Sequence, residues 1–256
     1  MACIYQSKRR SPVKRILFFA QLALLLMVSP CQAGFFDDLV DEFITPGIQS
    51  DSLDNSTIVK GLKEALATGT ERAVKEVAKP DGYFGNELIK ILLPGKIQQA
   101  ASILGEFGYQ QQVDELVLSM NRAAEKAAPI AAGFFGDAIR QMSVEDAKGI
   151  LNGGDTAATA FFEKKTRSQL TDAFKPTVSK KMEQLGTVRA YKDMIGKYKA
   201  VPLLALAGAP SLDLDDYVTA RALDGLFKMV GEEEKKIRTN PAAQTTDLLR
   251  KVFGNR

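Results

Sequence analysis

Apolar residues recur three and four positions apart along most of the chain, and no segment alternates apolar with polar residues as a half-buried strand would. Phe35, Phe36, Leu39, Val40 and Phe43 predict a short amphipathic helix that stops before Pro46. A polar stretch at 51–56 supplies N-cap residues for a helix reaching about Ala78, with Ile58, Leu62, Leu66, Ala73 and Val77 on one side. The turn Pro80-Asp81-Gly82 follows, then Ile89 to Leu93, an extended piece or a single helical turn before Pro94. A helix over 95–107 ends at Gly108. A long one over 111–141 buries Val113, Leu116, Val117, Met120, Ala124, Ala127 and Ala128 and kinks at Pro129.

The second half reads the same way. Ser143 and Asp146 have the spacing of a capping box, and the short helix they start ends at Asn152-Gly153-Gly154. Asp155 or Thr156 then caps a long helix, interrupted at Pro176 and closed by Gly186. A helix over 187–199, an apolar connection over 201–210, and helices over roughly 213–239 and 242–253 complete the pattern. The prediction is an all-α, single irregular domain of about eight to ten helices over residues 34–256.

Residues 1–33 read as a secretory signal peptide that is removed. Lys8, Arg9, Arg10, Lys14 and Arg15 precede an apolar stretch from Ile16 to Val28, broken only by Gln21. That stretch is too short to span a bilayer, which takes about 20 residues. Ser29 and Pro30 break it, and Cys31-Gln32-Ala33 places small residues three and one before a cut at Gly34. Cys31 also raises lipid anchoring, but Pro30 stands where a lipidated cysteine is normally preceded by a small residue. Release into the periplasm is the expectation, with no stable membrane insertion afterwards.

Removing this segment changes the chemistry. Both cysteines leave with it, so the mature chain forms no disulfide in an oxidising compartment. Five of the 34 basic residues also leave, and 29 remain against 31 acidic ones. The basic balance therefore belongs to the targeting signal and is no argument for nucleic acid. The chain has no His. Ser-His-Asp and Cys-His systems are excluded, as are thiolate or imidazole zinc sites. Neither a metal nor a cofactor is expected.

Several segments resemble one uncharacterised bacterial family, domain of unknown function 4197. They are Gly61-Leu-Lys-Glu-Ala-Leu66, Asp81-Gly-Tyr-Phe-Gly-Asn86, Ile89-Lys-Ile-Leu-Leu-Pro94, Met120-Asn-Arg-Ala-Ala-Glu125 and Ile150-Leu-Asn-Gly-Gly-Asp-Thr-Ala-Ala-Thr159. The tail from Gly225-Leu-Phe-Lys through Asn240-Pro to Val252-Phe-Gly254 adds a sixth. The resemblance implies an exported helical protein, mostly of Gram-negative bacteria, and no activity.

Three segments hold the special backbone and polar side chains that ordinary amphipathic pattern leaves over. In 152–159, paired glycines precede a helix N-terminus that favours an anion, with Thr156 and Thr159 as hydroxyl donors. Asp155 would oppose an anion and satisfy the same N–H groups, so the segment is either a plain capped turn or an anion or ligand site. Asn121, Arg122 and Glu125 lie in an Ala-rich helix, either as a buried bonded network or as ligand contacts. Asp81, Tyr83 and Asn86 sit on glycine hinges, either as a stacking and hydrogen-bonding site or as a loop plugged into the core.

The 201–210 run reads as a buried crossover, or as a lid over an apolar pocket. Glu232 to Lys236 reads as a solvated helix face. The leading functional expectation is a non-catalytic periplasmic binding or interaction module of the cell envelope. Its site would lie where the three segments meet, and its partner is a small ligand or an envelope protein of unknown identity. A hydrolase of an envelope polymer is the alternative; Asp137, Glu145, Asp146, Asp155 and Glu163 supply its candidate carboxylates. A carrier of apolar ligands is the third.

Overall fold

The computed structural model describes residues 55–200, 212–240 and 250. The predicted signal peptide, the helix at 35–43, the apolar connection at 201–210 and nearly all of the tail 242–256 lie outside the described residues. What is described is all-α, with no strand among the described residues.

Helix α1 (Asn55–Ala78) buries Leu62, Leu66, Ala73 and Val77, as its spacing predicts, with Ile58 packed at the edge. Residues 79–94 then cross the surface without helix. From Gly95 the chain is helical to Arg140, through α2 (Gly95–Leu104), a π-type turn at Gly105–Tyr109, α3 (Gln110–Ala127), a 3-10 turn at Ala128–Ile130 and α4 (Ala131–Arg140). The two punctuation residues act where expected. Gly108 bends the path with φ 86°, a left-handed value that glycine adopts without a Cβ clash. Pro129 opens the 3-10 turn between α3 and α4.

Ser143 starts α5 (Val144–Asn152) with both halves of the capping box formed: its hydroxyl accepts from the Asp146 N–H, and its own N–H donates back to the Asp146 carboxylate. Helix α6 (Ala157–Gln184) passes through Pro176 without interruption, where a break is predicted. Packing on neighbouring helices outweighs one missing hydrogen bond there. Gly186, at φ 72°, closes α6. Helices α7 (Thr187–Ala200) and α8 (Leu214–Thr239) complete the described residues. These segments join into six continuous helical runs, against the eight to ten separate helices expected for the mature chain.

Helix α8 is the central element. It packs most extensively on α6 and α1 and also meets α3. Phe135 of α4, Phe162 of α6 and Phe227 of α8 form one aromatic cluster, with ring centroids 5.1 and 6.0 Å apart. The buried line of α6 is Ala158, Phe162, Thr166, Leu170, Phe174, Val178 and Met182. A strict spacing of four rotates that line by about 40° per step, so it winds around the helix. Helix α6 thereby packs against α8, α3 and α4 together. No helix among the described residues is long and apolar enough to cross a membrane.

Candidate functional site

The 79–94 crossing and the middle of α3 form one closed polar cluster. Asp81 stands at φ 64°, a left-handed value rare outside glycine, and Arg122 of α3 holds its carboxylate at 2.7 Å. The same guanidinium donates to Glu125 at 2.8 Å, and these bonds raise its proton affinity, the bond to Glu125 first. The other Glu125 oxygen accepts from the N–H groups of Tyr83 (3.2 Å) and Phe84 (3.3 Å). Glu125 is 3 % exposed, so its charge is spent inside the protein on two loop N–H groups and one arginine.

Tyr83 fills the core with no exposed surface, and its hydroxyl donates to the Ala222 carbonyl of α8 at 2.6 Å. Burial, and next the charge of Glu125, push its pKa far above the ordinary tyrosine value. Asn121 is fully buried. Its amide donates to the Ile91 and Val117 carbonyls, and its oxygen accepts from the Ile91 N–H at 2.8 Å. Ile91 thus finds in one side chain the paired bonding that a neighbouring strand would give, which fixes residues 90–94 as extended rather than helical. Asn86 accepts from the Leu88 N–H and donates to the Met229 sulfur. Of the two readings open for these six residues, the geometry builds the bonded network and the plugged loop.

The 152–159 turn is built differently. The first turn of α6 does hold an anion, and that anion is a side chain of the protein itself. Glu234 of α8 accepts from the Ala158 N–H (2.9 Å), the Thr159 N–H (2.8 Å) and the Thr159 hydroxyl (2.8 Å). Neither expected cap acts: Thr156 occupies the cap position without a side-chain bond. Arg238, one turn on from Glu234, donates to it at 2.8 Å and also to the Ile150 carbonyl at 2.8 Å. One ion pair therefore ties α5, α6 and α8 together. The expectation that 232–236 is a solvated face is corrected here: Glu233 and Glu234 are each only 8 % exposed.

The three segments do not converge on one pocket. Tyr83 and Asn86 contact Ala222, Gly225 and Met229 of α8, whereas Thr159 contacts Gly231 and Glu234. Positions 229 and 231 are about 200° apart around a helix, so α8 stands between the two clusters.

Beside the Glu234 cluster lies an open cleft of about 510 Å³ between the N-terminal half of α6 and α8. Asp155, Thr156 and Thr159 line it from one side, and Lys228, Gly231, Glu232 and Lys235 from the other. Its far end is an ion network in which Arg167 donates to Glu163 and Asp224, each at 2.8 Å, with its guanidinium 5.2 Å from the Phe227 ring. Midway, Lys228 pairs with Glu232 at 3.2 Å.

Three of the five acids named for hydrolysis serve structural roles. Asp137 pairs with Arg140, Glu163 belongs to the Arg167 network, and Asp146 serves the capping box. The bonds from the Ser143 N–H and hydroxyl hold the Asp146 carboxyl below the usual carboxylate range, the wrong direction for a general acid. An apolar crevice among α1, α6 and α8, lined by Leu62, Leu66, Gly69, Phe162 and Ile237, encloses about 20 Å³. That holds one water; the 201–210 run, on which the carrier reading rests, lies outside the described residues.

Two groups of this site escape the sequence reading. Glu234 sits in a run of charges, yet Leu223, Leu226, Val230 and Ile237 form a buried line whose one gap falls at 233 and 234. Arg167 looks like an ordinary surface residue four after Glu163, and only the fold brings Asp224 to it.

No curated protein and no solved structure matches the chain. The family model described as "Protein of unknown function (DUF4197)" matches residues 52–254, from just before α1 almost to the end of the chain, and the protein belongs to that family.

Proposed function

We propose that the protein is an exported, non-catalytic binding or interaction module of the bacterial cell envelope, and that it binds through the α6–α8 cleft. Residues 1–33 deliver it to the periplasm, and cleavage before Gly34 releases it. The observation that carries the reading is the cleft: about 510 Å³, open, polar, and walled by two helices joined at its upper end where Glu234 of α8 accepts from the Ala158 and Thr159 N–H groups of α6. A volume of that order accommodates a small ligand or a short segment of an envelope protein. The lack of His, and of Cys beyond Cys31, leaves few groups for catalysis near neutral pH.

Native mass spectrometry of the protein recovered from the periplasm of an exporting host tests this, beside a Gly231→Leu variant. A Cβ added at Gly231 meets the Thr159 hydroxyl at 3.5 Å and the Thr156 and Thr159 methyls at 3.9 Å, ordinary van der Waals contacts, at a position that lines the cleft. The wild type is expected to start at Gly34 and to carry a reproducible mass excess or partner that Gly231→Leu loses without any loss of thermal stability. A chain that keeps residues 1–33, or a partner that Gly231→Leu retains, would contradict the proposal.

A further inference from the structure

The upper end of the α6–α8 cleft carries two charges of opposite sign, each without an ionic partner among the described residues. The other ionic groups of its lining answer one another: Arg167 joins Glu163 and Asp224, and Lys228 joins Glu232. Asp155, at the head of α6, and Lys235, on α8, line the same end. Neither has a cation or carboxylate of the protein within 4 Å among the described residues. Thr156, beside Asp155, makes no capping bond and leaves its hydroxyl free.

These groups are held in place. The turn that bears Asp155 is tied to α8 on both flanks, because Arg238 holds the Ile150 carbonyl before it and Glu234 holds Ala158 and Thr159 after it. Gly231 keeps the floor between the walls free of a side chain. Occupation of the α6 N-terminus by Glu234 also sets a direction. A ligand's anionic group finds no free N–H groups on the α6 side, where Asp155 repels it, and so belongs at Lys235. A ligand's cationic group belongs at Asp155.

From this arrangement we infer that the cleft takes a zwitterion, a free amino acid or short peptide, its ammonium at Asp155 with the neighbouring Thr156 hydroxyl and its carboxylate at Lys235. The inference rests on the cleft being the binding surface and adds the class of ligand. Both charges are solvent-exposed, so each ion pair is weak, and removing one charge lowers affinity by about three- to five-fold.

The test is an NMR titration of the exported protein with four probes: alanine, alanylalanine, N-acetylalanine and alanine amide. The account expects alanine or alanylalanine to shift the backbone amides of 155–159 and 231–235 saturably, and the tighter of the two distinguishes amino acid from peptide. The two blocked probes each lack one charge and are expected to bind about three- to five-fold more weakly, as are the Asp155→Asn and Lys235→Met variants. The double variant is expected to lose about ten-fold or more. Equal binding of blocked and zwitterionic probes, or affinities unmoved by both substitutions, would overturn the assignment. So would an absence of shifts at these amides with either zwitterion. If Gly231→Leu still strips a native partner in that case, the cleft remains the binding surface and only the ligand class falls.

Discussion

The two polar clusters flanking α8 use the same device to opposite ends. In each, a buried glutamate accepts two successive main-chain N–H groups and pairs with an arginine on its own helix. Glu125 holds Tyr83 and Phe84 and pairs with Arg122; Glu234 holds Ala158 and Thr159 and pairs with Arg238. Each arginine then reaches one further group, Asp81 in the first case and the Ile150 carbonyl in the second. At the first cluster the captured segment is a loop whose Tyr83 enters the core, and no cleft remains. At the second it is a helix start, and the two helices diverge beside it into the α6–α8 cleft. A polar constellation on glycine hinges is therefore no mark of a binding site by itself. What separates the two is whether a cleft opens beside the satisfied backbone.

The comparison breaks most sharply at the glutamates. Glu234→Ala takes the carboxylate away from Arg238, whose side chain is only 11 % exposed, and orphans two N–H groups at the α6 start. It is expected to lower unfolding free energy by about 3–5 kcal/mol in urea denaturation. Glu125→Ala is expected to lose about half as much, because Arg122 is 31 % exposed and keeps Asp81. Equal losses, or a larger one at Glu125, would show that burial of the arginine does not set the difference.

The plugged loop gives the next largest effect. A Cβ at Gly225 would come within 2.7 Å of Tyr83 Cε1 and 3.1 Å of Ile89 Cβ. Overpacking of that kind costs about 1–3 kcal/mol, against about 1 kcal/mol gained in helix propensity. Gly225→Ala is therefore expected to destabilise by about 1 kcal/mol, whereas Gly231→Leu, whose Cβ meets no such overlap, keeps the propensity gain and is expected not to lower thermal stability.

Tyr83→Phe removes the bond its hydroxyl donates to the Ala222 carbonyl and is expected to cost about 1 kcal/mol at neutral pH. It also changes the response to alkali. The folded Tyr83 holds its proton to higher pH than the unfolded chain, which releases it near pH 10. Its contribution is complete below that value and is lost as pH rises above it, so wild-type stability falls with pH there. In Tyr83→Phe that slope is shallower but not zero, since burial raises Tyr191 and Tyr217 as well. A slope identical to the wild type would place Tyr83 in contact with water.

What was legible in the sequence is what local chemistry decides. The Ser143 box, the kinks at Gly108 and Pro129, the closing Gly186 and the buried side of α1 each depend on residues within a few positions. Long-range pairing was hidden. Asn121 reads as a polar intruder in an Ala-rich helix until the 90–94 segment lies against it, and Glu234 reads as surface until α6 arrives above it. The anion-binding character of the α6 start was legible as physics, but nothing local reveals that the anion comes from 75 residues further along the chain. The stop read at Pro176 failed because a propensity argument ignores what a helix buries.

The most direct test of the central claim, that the open cleft and not the closed loop cluster meets the protein's partner, is photo-crosslinking in the exporting host. A photo-reactive residue replaces Lys228, in the cleft wall, or Leu88, which is 68 % exposed beside the loop cluster, and the protein's mass is read after irradiation. The account predicts added mass from position 228 and none from position 88. Added mass from position 88 alone would contradict it.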